Sequence, residues 1–187
     1  MALEFEEIAL ELFAARGYAN VSVDEIAEAA GVSARTFYRY FAAKDDVLAL
    51  FPQRTDAFIR EAIQRQPVGA TPFAVLSSSL VEFAHAVDLQ QFGRWLTVVD
   101  ATPKPYVPVV QNALALQRDL EQHLVATKNI NRSPKFSLQV HLALAAANAA
   151  FGAAAAAWHA GAGAFPDLVR EALEVFAKGF DAAPPAS

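Results

Sequence analysis

The 187-residue sequence contains no cysteine, and this absence excludes disulfide bonds, thiolate metal sites and cysteine nucleophiles. It is also poor in charge, because only 19% of its residues are charged while 55% are hydrophobic. A disordered chain has the opposite balance. The composition is therefore typical of a folded protein with a substantial core, and we expect it to reside in a reducing compartment.

Motifs of the common enzyme classes are missing as well. The sequence has no HExxH helix, no glycine-rich phosphate loop and no GxSxG nucleophile elbow. His141 and His159 share a helical face, but the helix between them would hold them about 27 Å apart, too far to bind one metal ion. We therefore expect no catalysis, no metal and no cofactor.

Signals for secretion and for a membrane span are weak. The opening residues MALEFEEIALELF are acidic and amphipathic, whereas a secretory signal begins with positive charge. The apolar run LALAAANAAFGAAAAAW, residues 142–158, is rich in alanine, which contributes little to membrane insertion, and Asn148 interrupts it. We expect a cytoplasmic protein that contacts no membrane, with this run forming a buried or interface helix.

What the sequence does contain is helical periodicity, beginning at the first residues. An apolar stripe at helical spacing comprises Phe5, Ile8, Ala9, Leu12 and Phe13. Gly17 follows that stripe where a helix would end. Ser22 then precedes Glu25 by three residues, which is the spacing of a capping box. A second helix of about two turns is therefore predicted between Ser22 and Gly31.

A third helix is predicted from Ala34 to about Phe41, with Ser33 as its cap. Only a short turn containing Gly31 separates it from the second helix, and such a pair is typical of a helix-turn-helix motif. At about 100° per residue the third helix has two distinct sides. One side is aromatic and is expected to pack inward: Phe37, Tyr40 and Phe41. The other side carries Arg35, Thr36, Tyr38 and Arg39.

The second side of this helix is suited to nucleic acid. The alternative interpretation is an ordinary solvated face, but a large aromatic such as Tyr38 gains nothing from exposure to water. Guanidinium groups and a phenolic hydroxyl form hydrogen bonds with phosphates and base edges. The sequence therefore favours a DNA-contacting surface at Arg35, Tyr38 and Arg39.

The run FEEIALELFAARGYANVSVDEIAEAAGVSARTFYRYFAAKDDVLAL, residues 5–50, resembles the DNA-binding domain of TetR/AcrR-type transcriptional regulators. The pattern that recurs in that family is AxxLFxxxGYxxxSVxxIAxxAGVSxxTFYxYFxxKxxL. The resemblance implies an all-α homodimer, with a three-helix DNA-binding domain at residues 1–50 and a ligand-binding and dimerisation domain at 51–187. Such a protein is a repressor that binds a palindromic operator in double-stranded DNA and is released by a small molecule.

The same resemblance implies roles for individual residues of the motif. Ser22, Ser33, Tyr38 and Lys44 would meet the DNA backbone, while Arg35, Thr36 and Arg39 would lie nearest to base edges. The charge balance argues against DNA binding, because residues 1–50 contain four basic and nine acidic side chains. The segment from Val32 to Lys44 nevertheless has three basic residues and no acid. Related regulators often carry a basic arm before the first helix, so this balance predicts modest affinity for non-specific DNA.

Residues 51–187 balance eleven basic against eleven acidic residues and are organised by periodicity and helix-breaking residues. The expected helices run from near Lys44 to about Arg65, Thr71 to about Val87, Gln90 to Asp100, Val109 to Thr127, Pro134 to about Ala160, and Asp167 to Phe180. Pro52 is a candidate kink in the first of them. No strand pattern is present, so the fold class is all-α.

The last two helices are the expected dimer interface. Ala143, Ala147, Ala150 and Ala154 would let helices approach closely, and the final helix has a stripe of Leu168, Ala172, Val175, Phe176 and Phe180. The family resemblance favours a four-helix interface built by two subunits. Without it, packing within one chain explains these residues equally well.

A ligand site is expected among the middle helices. Its large apolar candidates are Phe83, Phe92, Trp95, Val99, Tyr106, Leu114 and Phe151, and its polar candidates are Arg94, Gln117 and Asn148. Ordinary core packing is the competing interpretation for most of them. The run RWLTVVDATPKPYVPVVQNALALQRDLEQHL is similar to the C-terminal domain of actinobacterial regulators that respond to acyl-type lipophilic ligands. A helix-turn-helix protein that no longer binds DNA and serves as a ligand or partner module remains a further alternative.

Overall fold

The structure is a computed structural model that describes residues 1–67, 69–102 and 134–178, together with residues 122 and 126. Within these residues every regular element is a helix, which confirms the predicted all-α class. The α-helices are α1 (Ala2–Arg16), α2 (Val23–Ala29), α3 (Ala34–Tyr38), α4 (Leu50–Arg65), α5 (Pro72–Ala86), α6 (Leu89–Asp100), α7 (Pro134–His159) and α8 (Phe165–Lys178). Short 3-10 segments cover Tyr18–Asn20 and Lys44–Ala49.

Local capping explains where several of these helices begin. Thr71 accepts a hydrogen bond of 3.2 Å from the amide of Ala74, and Pro72 occupies the first helical position, where a missing N–H has no cost. Asp88 accepts from the amides of Gln90 and Gln91 at 2.9 and 3.0 Å. The predicted starts of α5 and α6 are therefore confirmed to within about a residue.

Two predicted helices, the third and the fourth, differ from the structure. Helix α3 ends at Tyr38 rather than near Phe41, and the segment expected to open the fourth helix at Lys44 is a 3-10 helix instead. Helix α4 starts at Leu50, which puts Pro52 in its first turn, where proline is tolerated and produces no break. The helix predicted from Val109 to Thr127 lies outside the described residues except at positions 122 and 126, which are helical.

The contacts divide the chain into two units. Unit one comprises Met1–Asp56 and the described part of Asp88–Leu116. Its core is aromatic, since Phe5 lies edge-on to Phe37 at 5.2 Å between ring centroids and Phe37 lies 5.1 Å from Phe41. Ile26 of α2 and Leu48 are buried in the same core. This cluster fixes α1, α2 and α3 as a small three-helix domain.

Unit two comprises Ala57–Val87 and the described part of Gln117–Ser187. Helix α7 packs against α5 and α8 through four buried alanines, Ala143, Ala147, Ala150 and Ala154. These alanines do allow close approach of helices, but the approach is within one chain. Among the described residues, Leu138–His159 is a helix long and apolar enough to span a membrane by length and composition, with 39% of its most apolar window buried. Packing of α7 against α5 and α8 accounts for the buried part of that composition.

Candidate nucleic-acid interface

The turn between α2 and α3 gives the first domain its geometry. The Gly31 amide donates to the Glu28 carbonyl and the Val32 amide to the Ala27 carbonyl, both at 2.9 Å. Gly31 has a φ of 68°, in the left-handed region that favours glycine. The chain therefore reverses sharply at this residue, and α3 crosses α2 after only three further residues.

The two sides of α3 are separated as predicted. Phe37 has no exposed surface, whereas 56% of Tyr38 is exposed. Arg35 and Arg39 are also exposed, and within the described residues neither forms a salt bridge. An exposed tyrosine beside two guanidinium groups that form no salt bridge within the described residues presents hydrogen-bond donors to solvent, as a phosphate-contacting surface does.

Tyr40 is a correction to the sequence analysis, which placed it on the buried side. It is 44% exposed, and its hydroxyl accepts from Arg39 Nη2 at 3.4 Å. The Arg39 guanidinium carbon lies 5.2 Å from the centroid of the Tyr40 ring. Extrapolation at helical spacing failed here because α3 ends at Tyr38, so Tyr40 follows a turn rather than a helix. Tyr40 therefore belongs with the candidate DNA-contacting side chains.

Ser33 occupies the residue before α3, but it does not cap the helix with its side chain. Its Oγ lies 3.2 Å from Oγ1 of Thr36, and no backbone amide donates to it. Ser33 is exposed and Thr36 half-buried beside it. The expected capping bond is therefore absent, and the two hydroxyls stand together at the N-terminal end of α3.

Ser22 begins α2 with the predicted capping box. Its Oγ accepts from the Glu25 amide at 3.2 Å, and Glu25 Oε2 accepts from the Ser22 amide at 2.8 Å. Arg16 Nη2 donates to Glu25 Oε1 at 2.5 Å. The Ser22 amide, followed by Arg16, lowers the pKa of Glu25 from 4.5 to about 2. The Ser22 hydroxyl is thus engaged within the domain while remaining exposed.

Lys44 has different partners from those expected. Its ammonium donates to the carbonyls of Tyr18 and Val21, both at 2.7 Å, and lies 4.1 Å from the centroid of the Tyr18 ring. Burial lowers the pKa of Lys44, an effect that Glu25 opposes. Two of the three ammonium protons are therefore committed to the loop between α1 and α2, which leaves at most one for a phosphate.

The predicted ligand residues fall into both units. In unit one Arg94 pairs with Glu11 at 3.0 Å, and Trp95 donates from Nε1 to the Leu48 carbonyl at 3.0 Å. Phe92 is buried and Val99 half-buried in the same unit. Trp95 and Phe92 both stack on Phe51 at 5.3 Å. These four side chains belong to the packing and polar contacts of unit one.

Unit two holds the other predicted ligand residues that the structure describes. Phe83 and Phe151 lie 5.9 Å apart between centroids. Asn148, expected to be enclosed, is exposed. Tyr106, Leu114 and Gln117 lie outside the described residues, so their prediction stays untested.

Two grooves occur in the described part of unit two. One of 780 Å³ lies between α5 and α8, with apolar lining that includes Phe73 and Leu173 and charged side chains from Glu82, Arg170 and Glu174. The other, of 350 Å³, lies beside it against α7. The predicted ligand residues that the structure describes do not line either groove. Within the described chain no group of three or more histidine, aspartate or glutamate side chains could hold a metal ion.

The short α2, the glycine turn and the solvent-facing α3 define the class of the N-terminal domain as helix-turn-helix. Residues 7–50 match the family described as "Bacterial regulatory proteins, tetR family". The predicted resemblance to TetR/AcrR-type regulators is confirmed over residues 7–50, the part of the chain that matches this family.

Curated relatives of this chain are also transcriptional regulators. The chain is 39% identical over 71 residues to the HTH-type transcriptional regulator TcmR of Streptomyces glaucescens, a match that spans 38% of this chain and 31% of that one. The chain therefore covers about a third of the length of this curated relative. The proteins that it matches are transcriptional regulators rather than enzymes.

Solved structures share the fold over nearly the whole chain. FadR of Thermus thermophilus, a TetR-family repressor in complex with lauroyl-CoA, has a TM-score of 0.60 at 22% identity and covers 100% of this chain and 99% of its own. The fatty acid degradation regulator FadR of Bacillus halodurans has a TM-score of 0.66 at 18% identity, over 96% of both chains. At these identities the likeness establishes the fold alone.

Proposed function

We propose that the protein is a cytoplasmic, ligand-responsive repressor that binds a palindromic operator in double-stranded DNA as a homodimer. The observation that carries the proposal is the exposed surface of α3, where Arg35, Tyr38 and Arg39 face solvent while Phe37 is buried. A recognition helix in the major groove needs this division, because one side must hold the helix on its domain while the other contacts DNA.

The proposed contacts divide into two kinds. Arg35, Thr36 and Arg39 lie nearest to base edges, where a bidentate arginine bond to guanine contributes about 1 to 3 kcal/mol of discrimination. The backbone contacts come from Ser22, Ser33, Tyr38 and the exposed Tyr40. Lys44 is assigned to the loop between α1 and α2, because the carbonyls of Tyr18 and Val21 already engage its ammonium. Phosphate contacts set the register of the protein on the duplex without reading its sequence.

The homodimer would form through α7 and α8. An exposed stripe on α7 recurs at alternating steps of four and three residues: Leu138, Leu142, Ala145, Ala149, Gly152 and Ala156. Such spacing is typical of a seam between packed helices. Val175 of α8 is also exposed at 41%. A dimer would hold two α3 helices about 34 to 36 Å apart, the distance between successive major grooves.

The effector in this proposal is lipophilic and of acyl type, bound in the domain formed by residues 51–187. Support comes from the shared fold of FadR, which was solved with lauroyl-CoA. An effector releases DNA only if it binds more tightly to the conformation that has low affinity for DNA. DNA then weakens effector binding by the same factor as the effector weakens DNA binding. This reciprocal effect distinguishes an effector that is coupled to DNA binding from a lipid that binds the protein without affecting DNA affinity.

The test is selection of duplexes from a randomised DNA pool by the wild-type protein, followed by gel shifts at low and high salt. The proposal predicts an enriched, palindromic sequence that stays bound at salt concentrations that release random DNA. The acidic balance of residues 1–50 favours the alternative of a ligand or partner module without DNA binding. Failure to enrich any duplex would support that alternative.

A further inference from the structure

A buried carboxylate lies inside the DNA-binding unit, away from the surface of α3. Glu6 of α1 has no exposed surface. Its Oε2 accepts from Arg54 Nη1 at 2.6 Å and from Gln91 Nε2 at 3.3 Å, and Arg54 Nη2 donates to Gln91 Oε1 at 3.2 Å. Three helices, α1, α4 and α6, each contribute one side chain to this closed triangle of hydrogen bonds.

The triangle adjoins the aromatic stack of unit one. The Arg54 guanidinium carbon lies 5.9 Å from the centroid of the Phe51 ring, and Phe51 stacks on both Phe92 and Trp95. The indole N–H of Trp95 in turn donates to the carbonyl of Leu48, two residues before α4 begins. Any rotation of α1 relative to the first two turns of α4 would therefore disturb both the hydrogen bonds and the stack.

Burial of the charged groups in this triangle lowers the free energy of unfolding. Burial raises the pKa of Glu6, and the Arg54 guanidinium beside it opposes that rise. The second carboxylate oxygen, Oε1, is buried with no close hydrogen bond among the described residues, although the Phe51 amide also lowers the pKa of this carboxyl. Apolar side chains of similar volume often stabilise such a position at least as well as an ion pair does. Directional hydrogen bonds, by contrast, fix an angle that apolar packing leaves free.

We propose that Glu6, Arg54 and Gln91 form a polar joint that holds α1 at one angle to α4 and α6. Glu6 and Arg54 are thereby positioning residues for DNA binding, because α1 carries α2 and α3 through the shared aromatic core. This inference rests on the proposed function. It assigns a task in DNA binding to side chains that do not lie on the surface of α3.

Three variants separate positioning from stability: Arg54→Met, Arg54→Lys and the double variant Glu6→Leu with Arg54→Met. Arg54→Met leaves the buried Glu6 carboxylate without its charged partner. The thermal midpoint of this variant and its affinity for the selected duplex should therefore both fall. The double variant should regain the wild-type midpoint but bind that duplex about tenfold more weakly, a loss within the usual range for coupled sites. Arg54→Lys, which keeps a charged donor, should recover part of the affinity.

The double variant decides whether the triangle positions α1 for DNA binding or only stabilises the fold. If it regains wild-type affinity together with the wild-type midpoint, the triangle is merely structural and the inference is overturned. The same result follows if Arg54→Lys binds DNA no better than Arg54→Met.

A second readout does not depend on DNA. The chain has two tryptophans, so Trp158→Phe leaves Trp95 as the only one, next to the joint. In that background the double variant should shift the Trp95 emission and increase its quenching by acrylamide; unchanged emission and quenching would overturn the inference. If the wild-type protein selects no duplex at all, the proposed function fails while this fluorescence measurement still decides whether the joint positions α1.

Discussion

At the scale of single residues, Phe41 tests which side of the third helix faces the core. Its ring is buried against Phe37 and lies 6.1 Å from Phe5. Phe41→Ala should lower the free energy of unfolding by about 3 to 5 kcal/mol through loss of contacts and a residual cavity. Urea unfolding measures this, with Tyr40→Ala as the matched control because 44% of Tyr40 is exposed and its truncation should cost less. Equal denaturation midpoints for the two variants would show that the buried side is wrongly assigned.

Lys44 separates an internal role from a DNA-contacting one. Its ammonium serves two backbone carbonyls, so Lys44→Ala should lower the free energy of unfolding by about 1 to 3 kcal/mol, the usual cost of leaving a buried polar group without its partner. The salt dependence of DNA affinity should stay as in the wild type. If stability is unchanged and the salt slope falls by about one unit, Lys44 is a phosphate contact instead.

At the scale of elements, the capping box of α2 makes stability depend on acid. Because the folded pKa of Glu25 is lowered to about 2 from 4.5, its contribution to stability is complete above pH 4.5 and is lost as the pH falls toward 2. Glu25→Gln should therefore flatten the decline of unfolding free energy across that window. Glu28→Gln, an exposed position on the same helix, should leave the decline unchanged. Parallel acid curves for wild type and Glu25→Gln would contradict this assignment.

Helix boundaries that depend on neighbouring residues could be predicted from the sequence. Ser22, Thr71 and Gly17 act through bonds or dihedral angles within a few residues, and the helices that they delimit are confirmed. The end of α3 and the placement of Tyr40 could not be predicted in this way, because the periodicity continues where the helix stops. Tertiary packing, rather than the repeat, decides that boundary.

Side chains with long-range partners were the least predictable. Trp95 was expected in a ligand cavity, yet its indole N–H bonds to a carbonyl 47 residues earlier. An aromatic residue at helical spacing indicates burial but not which element it packs against. Glu6 is one of nine acidic residues among residues 1–50, and no local signal in the sequence distinguishes it from the others. Its partners Arg54 and Gln91 come from distant helices that only the fold brings together.

At the scale of the whole molecule, the proposed homodimer would depend on the exposed stripe of α7. Ala149→Glu would place a carboxylate in the middle of that stripe, and burying an unpaired charge in an interface is strongly unfavourable. Sedimentation velocity should show the wild-type dimer converted to monomer. Gln90→Glu adds the same charge at an exposed position on α6 and should leave the dimer intact. A variant at Ala149 that remains dimeric would place the interface elsewhere.

The central claim is that α3 reads DNA sequence, and equilibrium fluorescence anisotropy on the selected duplex tests it most directly. Arg35→Ala and Arg39→Ala should each weaken binding to that duplex by about 1 to 3 kcal/mol while affecting random DNA much less. Glu28→Gln is the control, since it changes a charge on α2 without altering α3. Two protomers, or a multiple of two, should bind each duplex. Wild-type affinity in both arginine variants, or equal losses on selected and random DNA, would contradict sequence reading by this helix.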